Sequence, residues 1–232
     1  MIARAICVIA ILAAPAISQQ INAVLNTASG TPDVSPGALV SIFGSGFPDA
    51  ALDGAVTVNG IAVPMYSVTT SQINTQIPFD VRPGAATVKI EREGASVTYN
   101  FVLFDASPGI FKDPSGFALA RNADGSTNGP LKPAAPGSTI FVYLTGIGPV
   151  NHPSAVGDVT PNWPIVAAVQ PAGASIGGKR ARAAFLGLTP GSFGMAQVNI
   201  VVPPLPDGNY PVSIVIGQHQ SNSALIAVGG VK

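Results

Sequence analysis

The stretch PGALVSIF (residues 36–43), followed by Gly46, decides the fold because the chain contains it twice. One hundred positions later the sequence reads PGSTIFVY (residues 136–143), followed by Gly146. A second block, QINTQIP (residues 72–78), returns as QVNIVVP (residues 197–203). The blocks recur in the same order, which predicts a tandem duplication of one unit of about 100 residues. A sandwich core of that size can fold without disulfides.

Apolar residues alternate within these blocks, as they do in half-buried β-strands. Val40 and Ile42 share one strand face, as do Val88 and Ile90. The 26 glycines and 22 prolines, about a fifth of 232 residues, disfavour long helices. We therefore predict an all-β fold of two tandem immunoglobulin-like antiparallel β-sandwiches, covering residues 19–108 and 109–232.

The first 18 residues have the pattern of a secretory signal peptide. Arg4 precedes an apolar run over residues 5–14, and the small residues Ala14, Ala16 and Ser18 follow at cleavage spacing. The run is too short for a membrane helix, which needs about 20 apolar residues. We expect cleavage of residues 1–18 and export to the periplasm, the cell surface or the exterior, with no membrane span in the mature chain. The one cysteine, Cys7, would be lost with this segment.

Composition limits the classes of partner. Charged residues make up 9% of the chain and hydrophobic residues 47%, so the chain is not of the disordered class. Basic and acidic residues balance at 11 each, which gives no field to attract nucleic acid. The expected partners are a protein or a neutral polysaccharide at the cell exterior, and no cofactor is expected.

Several short motifs, taken together, resemble a C-terminal domain of uncharacterised function that occurs on many secreted acidobacterial proteins of the Solibacter type. They are NTAS (26–29), SPG (35–37), VSIFG (40–44), VNG (58–60), PGIF (108–111), NADGS (122–126), TGIG (145–148) and QVN (197–199). Each unit also resembles, less specifically, the IPT/TIG subclass of immunoglobulin-like domains. The resemblance implies a secreted, non-catalytic β-sandwich module.

Residues for catalysis or metal binding are few. The only histidines are His152 and His219, and no Gly-x-Ser-x-Gly elbow is present, so a Ser–His site is not expected. Glu91 and Glu93 both belong to one hairpin, which leaves an aspartate pair as the remaining route to a glycosidase. Residues 122–128 superficially resemble a calcium loop, but one carboxylate in that segment favours an Asx turn. We predict that the protein is not an enzyme and has no metal site.

The second copy carries an expanded loop. Gly46 and Gly60 lie 14 positions apart, whereas their counterparts Gly146 and Gly178 lie 32 apart. The excess is expected to emerge as a loop at about residues 151–171. Its candidate ligand-binding residues are Trp163, Asn162 and His152, although Trp163 could instead fold back as a plug over a sandwich end.

These observations favour a secreted, non-catalytic structural or adhesive module of the bacterial cell surface or exterior. The alternative is a carbohydrate-binding module that uses the 151–171 loop. A secreted hydrolase with an unrecognised carboxylate pair is the third hypothesis.

Overall fold

The computed structural model describes residues 19–47, 50, 54–92 and 94–230. These residues form antiparallel β-sheets and contain no helix, so none of their elements is a helix that could span a membrane. The prediction of an all-β fold is confirmed. The predicted signal peptide, residues 1–18, lies outside the described residues.

Residues 20–103, here called the first unit, form two four-stranded sheets. Their strands are β1 (Gln20–Asn26), β2 (Leu39–Ser45), β3 (Val56–Val58), β4 (Ile61–Ala62), β5 (Ser67–Thr69), β6 (Gln72–Gln76), β7 (Gly84–Arg92) and β8 (Ala95–Leu103). The strand orders are β1-β2-β6-β5 and β4-β3-β7-β8. These orders match the two sheets of the immunoglobulin fold, with a short extra strand on the second sheet.

Residues 109–228, the second unit, form one nine-stranded sheet. Its strands are β9 (Gly109–Ile110), β10 (Ala120–Asn122), β11 (Thr139–Thr145), β12 (Ala172–Ile176), β13 (Lys179–Leu188), β14 (Ala196–Val201), β15 (Gly208–Ile216), β16 (His219–Gln220) and β17 (Ala224–Val228). The order is β10-β11-β14-β13-β12-β15-β16, with β9 beside β11 and β17 beside β15.

Strand β13 connects the strands on the β12 side of this sheet to those on the β14 side. Residues 179–181 pair with β12, residues 182–188 pair with β14, and the register shifts between Ala183 and Phe185. In the first unit the corresponding stretch is interrupted: β4 and β5 are separate strands, with Pro64 between them. Because proline cannot donate a backbone hydrogen bond, it ends the pairing there.

The duplicated blocks occupy equivalent places. The amide of Gly37 donates to Ile77 O at 3.0 Å, and that of Gly137 donates to Val202 O at 2.8 Å. Both glycines have a positive φ, 76° and 82°, in the left-handed region that favours glycine. The repeat found in the sequence is thus a repeat of hydrogen bonding.

Buried apolar side chains form two clusters. One draws on residues 21–103 and includes Ile42, Ile73 and Ile90. The other draws on residues 106–228 and includes Ile140 and Ile214. The clusters change over between residues 103 and 106, a few residues before the predicted boundary at 108–109, and the division into two domains stays a prediction.

Candidate functional site

The expanded loop joins β11 to β12, and its base is closed by hydrogen bonds. The Asn151 amide donates to Ala167 O at 2.9 Å, and the Ala167 amide donates to Asn151 Oδ1 at 2.8 Å. The returning arm then pairs with β13 through Ala168 N to Leu186 O and Leu188 N to Val166 O, at 3.0 and 2.9 Å. The two arms of the loop are therefore held side by side.

A second attachment fixes the middle of the loop. Thr160 is buried, its amide donates to Ser192 O, and its carbonyl accepts from the Gly191 amide, both at 2.9 Å. Residues 189–195 form the turn between β13 and β14, so the loop is held against a neighbouring turn of its own unit.

The loop also contacts the first unit. Val156 packs against the first unit's apolar cluster. A Cβ placed on Gly157 would lie 3.2 Å from Cγ of Pro64, the proline that separates β4 from β5. Residues 155–160, here called the bridging segment, therefore connect the two units.

The three predicted site residues lie at the surface of this loop. Trp163 is 80% exposed, and Asn162 and His152 are exposed as well. His152 follows Asn151 on the outgoing arm, while Trp163 precedes the paired residues of the returning arm. Within the described part of the chain, no hydrogen bond or ring contact joins the three side chains. With 80% of its surface exposed, Trp163 does not cover a sandwich end, so the plug interpretation is wrong.

Three further large apolar side chains are exposed on the same loop: Val159, Ile165 and Val169. Burying an aliphatic side chain stabilises a fold by about 1.5–3 kcal/mol, so the exposure of these three side chains does not serve the stability of the core. The loop is thus fixed in position while it presents an aromatic and aliphatic surface to the outside.

Sequence reasoning missed a cleft of about 500 Å³ in the second unit, lined by both polar and apolar residues. Its polar lining includes Asn122, Asp124, Lys132 and Asp207, and Leu131, which is 95% exposed, lies beside them. The segment around Asp124 was singled out as an Asx turn, but nothing local in the sequence brings Asp207 to the same place.

The Asx turn is confirmed. Asp124 Oδ1 accepts hydrogen bonds from Ser126 Oγ at 2.6 Å and from Ser126 N at 2.9 Å. These bonds, with a smaller contribution from the Lys132 charge, hold the pKa of Asp124 below its ordinary value. Across the cleft, Asp207 Oδ1 accepts from the Gly230 amide at 3.2 Å.

Two aspartates, Asp124 and Asp207, line the cleft, and the hydrolase hypothesis requires such a pair at a defined separation. A glycosidase also needs a carboxylic acid that donates a proton, and a lowered pKa makes Asp124 a poor donor at neutral pH. Elsewhere in the described ranges, Glu91 forms a surface ion pair with Lys89, and Glu93 lies outside them. The described residues contain no group of three His, Cys, Asp or Glu side chains arranged to hold a metal ion.

Comparison with known proteins gives distant likenesses. No protein-family model matches the chain, and no curated protein matches it. Among solved structures, it is similar to SGBP-B of a Bacteroides ovatus mixed-linkage glucan utilization locus in complex with a heptasaccharide. The identity is 15%, the match covers 84% of this chain and 42% of that one, and the TM-score is 0.36.

Two other structures are similar at the same identity of 15%. SGBP-B from a Bacteroides uniformis xyloglucan utilization locus matches over 90% of this chain and 48% of its own, with a TM-score of 0.28. A tandem of titin immunoglobulin domains matches over 86% and 92%, with a TM-score of 0.25. This chain thus spans less than half the length of either SGBP-B. The fold assignment rests on strand order and register, which place the first unit's strands in the immunoglobulin arrangement.

Proposed function

We propose that this chain is an exported, non-catalytic structural or adhesive module in which two immunoglobulin-like domains hold one binding loop at the cell exterior. The observation that carries the proposal is the expanded loop, which is fixed at its base, at Thr160 and at Val156 while Trp163 is 80% exposed. Loops held on a rigid scaffold commonly carry binding function. The resemblance to secreted Solibacter-type domains supports the same proposal.

The export part is tested by N-terminal sequencing of the protein recovered outside the cytoplasm of a bacterial host. We expect the mature chain to begin close to residue 19, because small residues lie at cleavage spacing before it. Ile9→Asp, which breaks the apolar run, should leave the protein in the cytoplasm, whereas Asn22→Asp, beyond the cleavage site, should not. An exported chain that retains Met1 would contradict the signal peptide.

The binding part is tested by adhesion of the purified mature protein to bacterial cells and cell-wall fractions. We expect retention that falls at least about tenfold in Trp163→Ala, equivalent to a loss of about 1.4 kcal/mol. Leu131→Ala is the matched control, since Leu131 is 95% exposed but lies in the cleft rather than on the loop. Equal retention of both variants and the unmodified protein would remove the loop from consideration. A hydrolytic activity that persists through repurification would contradict the non-catalytic proposal.

A second candidate function is the binding of a neutral polysaccharide by the same loop. Trp163 is the observation that favours it, because an exposed indole offers an apolar face to a sugar ring while the neighbouring Asn162 can hydrogen-bond to hydroxyl groups. Affinity electrophoresis in gels that contain neutral glucans, mannans or xylans tests this candidate. Retardation that Trp163→Ala abolishes and Trp163→Phe partly preserves would support it. Mobility that no polysaccharide changes would reject it.

A further inference from the structure

Strand β8 of the first unit forms an uncovered edge of its sheet. In the order β4-β3-β7-β8 it is the last strand, and it pairs with β7 along all nine of its residues. Strand β1 also lies within contact distance of β8, but among the described residues the free edge is bridged only at its C-terminal end. There Val34 pairs with Leu103, and Val34 O accepts a hydrogen bond from the Phe104 amide at 2.9 Å. This parallel bridge engages the Val102 carbonyl, and the edge before Val102 has no hydrogen-bonded strand among the described residues.

The hairpin geometry identifies the groups on this edge. Arg92 and Ala95 pair across a two-residue loop, and such a closing pair exchanges both of its hydrogen bonds. Alternate residues of β8 from Ala95 therefore bond to β7, and those between them direct N–H and C=O away from it. The residues with outward groups are Ser96, Thr98, Asn100 and Val102. Glu91 of β7 lies opposite Ser96 and shows the same alternation. The Glu91 amide points away from β8 and donates to Ala55 O at 2.8 Å.

The second unit covers the corresponding edge with its own chain. Its β17 bears the same relation to Ala134 that β8 bears to Val34, because Ala134 bridges to Val228 as Val34 does to Leu103. Leu225 therefore corresponds to Asn100. The Leu225 amide donates to Gly116 O, and its carbonyl accepts from the Ala118 amide, both at 2.8 Å.

The next outward residue of β17, Ala227, is satisfied by the Asn128 side chain and by the Ala134 amide, which donates to Ala227 O at 2.9 Å. The Ala227 amide donates to Asn128 Oδ1 at 2.8 Å, and its carbonyl accepts from Asn128 Nδ2 at 2.9 Å. The counterpart of Ala227 in the first unit is Val102, whose amide has no such side-chain partner in the described ranges, although its carbonyl faces Val34 in the bridge. One copy of the duplicated unit thus closes this edge internally, and the other presents it to solvent.

The composition of β8 does not discourage pairing. Residues 95–103 contain no charged residue, no proline and no glycine. Natural sheet edges are commonly protected by charge, proline or shortness. The start of β13, which pairs with β12 on one side, carries Lys179 and Arg180 and is protected in this way.

We propose that β8 is the surface through which two copies of this chain associate, each β8 pairing antiparallel with the other about a two-fold axis at Tyr99. A second copy fits this edge because an uncharged strand meets no like charge when it pairs with itself. This inference is independent of ligand binding by the expanded loop.

The register follows from the outward groups. With the axis at Tyr99, Thr98 lies opposite Asn100 of the second copy and Ser96 lies opposite Val102, so outward groups face outward groups. They form up to about six backbone hydrogen bonds, because the Val102 carbonyl of each copy already faces the Val34 amide. On the other face, Val97 lies opposite Phe101 of the second copy. Val97, Tyr99 and Phe101 already pack at the margin of the first unit's cluster. Pairing therefore brings this cluster of one copy against the same cluster of the other copy.

Sedimentation velocity of the mature protein over about 1–100 µM tests the proposal. We expect a reversible monomer–dimer equilibrium that Thr98→Lys weakens by at least about tenfold, since the lysine places a charge on the paired edge. Ser67→Lys is the matched control, because Ser67 is an exposed hydroxyl residue on β5, in the opposite sheet. It should leave the equilibrium unchanged.

Hydrogen exchange of the unmodified protein provides a second measurement that needs no variant. The amides of Thr98, Asn100 and Val102 should become protected as concentration rises, while those of Val97, Tyr99 and Phe101 are protected throughout. A monomer at every concentration overturns the proposal, as does a dimer that Thr98→Lys leaves intact. Protection of the outward amides that does not depend on concentration also overturns it, since the edge would then be covered within one chain.

Discussion

At the scale of single residues, Asp124 shows how a local hydrogen-bond pattern sets a carboxyl's acidity. The carboxylate is fully exposed, and the two hydrogen bonds from Ser126 lower its pKa. We predict that Ser126→Ala raises the pKa of Asp124 towards its ordinary value, because the largest cause is the Ser126 hydroxyl bond. Carbon-detected NMR titration of the Asp124 carboxyl measures this shift.

The same change has a signed effect on stability. A carboxyl whose folded pKa lies below its unfolded pKa contributes stability above the unfolded pKa, and loses it as pH falls through the folded pKa. The Ser126→Ala variant should therefore lose less stability on acidification than the unmodified protein. Ser29→Ala, which removes a hydroxyl bonded to Thr31 rather than to a carboxylate, should leave the titration of Asp124 unchanged. An unmoved Asp124 titration in Ser126→Ala would contradict the assignment.

Tyr66 is a second residue with a shifted ionisation. Although Tyr66 is 37% exposed, the partial burial of its side chain raises its pKa to about 12, and its hydroxyl donates to Gln76 Oε1 at 3.1 Å. Its ring centroid lies 5.7 Å from that of Phe193 in the second unit. Because the folded pKa is raised, the stability contributed by neutral Tyr66 is fully present below the unfolded value near 10 and is lost as pH rises through about 12.

We predict that ultraviolet titration of tyrosine shows one phenol ionising at about 12, and that Tyr66→Phe removes this phase. The variant should also lose about 1 kcal/mol of unfolding free energy, the usual net value of one hydrogen bond. Tyr99→Phe serves as the control for the loss of a phenol elsewhere. A titration with no phase near 12 would show that burial does not govern the pKa of Tyr66.

At the scale of elements, the turn after β11 depends on a glycine for two reasons. Gly146 has a φ of 75°, and a Cβ there would lie 2.1 Å from the carbonyl oxygen of Ser107. Gly30 has nearly the same φ, 72°, but a Cβ there would meet nothing within 4 Å. A comparison of Gly30→Ala with Gly146→Ala therefore separates the cost of a positive φ from the cost of a steric clash.

We predict that Gly30→Ala costs about 1–2 kcal/mol of unfolding free energy, the penalty of a left-handed alanine. Gly146→Ala should cost at least about 2 kcal/mol more, since the backbone of the segment before β9 must move away. Urea denaturation of both variants measures the difference. Equal costs would mean that the Ser107 contact does not constrain the turn.

At the scale of the whole molecule, buried polar contacts join the units. Asn26 Nδ2 donates to Ser107 O, and the Leu39 amide donates to Oγ1 of Thr145, both at 2.8 Å. Asn26 and Thr145 are buried, and Phe79 of the first unit packs against the second unit's cluster. These contacts, with Val156 of the bridging segment, couple the stability of one unit to the other.

We predict that the two units unfold in one transition and that Thr145→Val destabilises both by about 1–3 kcal/mol, because it leaves the Leu39 amide without its partner. Hydrogen exchange of β11 and β14 reports on the second unit, and that of β2 and β6 reports on the first. Thr139→Val on the same strand should have a small effect, since the Thr139 hydroxyl has no hydrogen bond in the described structure. Two separate transitions in the unmodified protein would contradict the coupling.

Much of the fold could be predicted from local patterns. Alternating pairs such as Val56 and Val58 lie on strands with their side chains buried, and Asn59-Gly60 closes the β3–β4 hairpin with both residues at positive φ. The spacing between Gly146 and Gly178 located the expanded loop. The attachment of the bridging segment at Pro64 was not predicted, because it depends on two stretches about 90 residues apart.

The sequence by itself determined the strands, their turns and the duplication, because alternation and glycine placement act through neighbours along the chain. Only the tertiary structure decided that Trp163 is exposed, that Asp124 and Asp207 share a cleft, and that β8 lacks the cover that residues 116–118 and Asn128 give to β17. The physical reason is the same in each case. Exposure and proximity depend on which distant segments pack over a surface, and two copies of similar sequence can differ in what covers them.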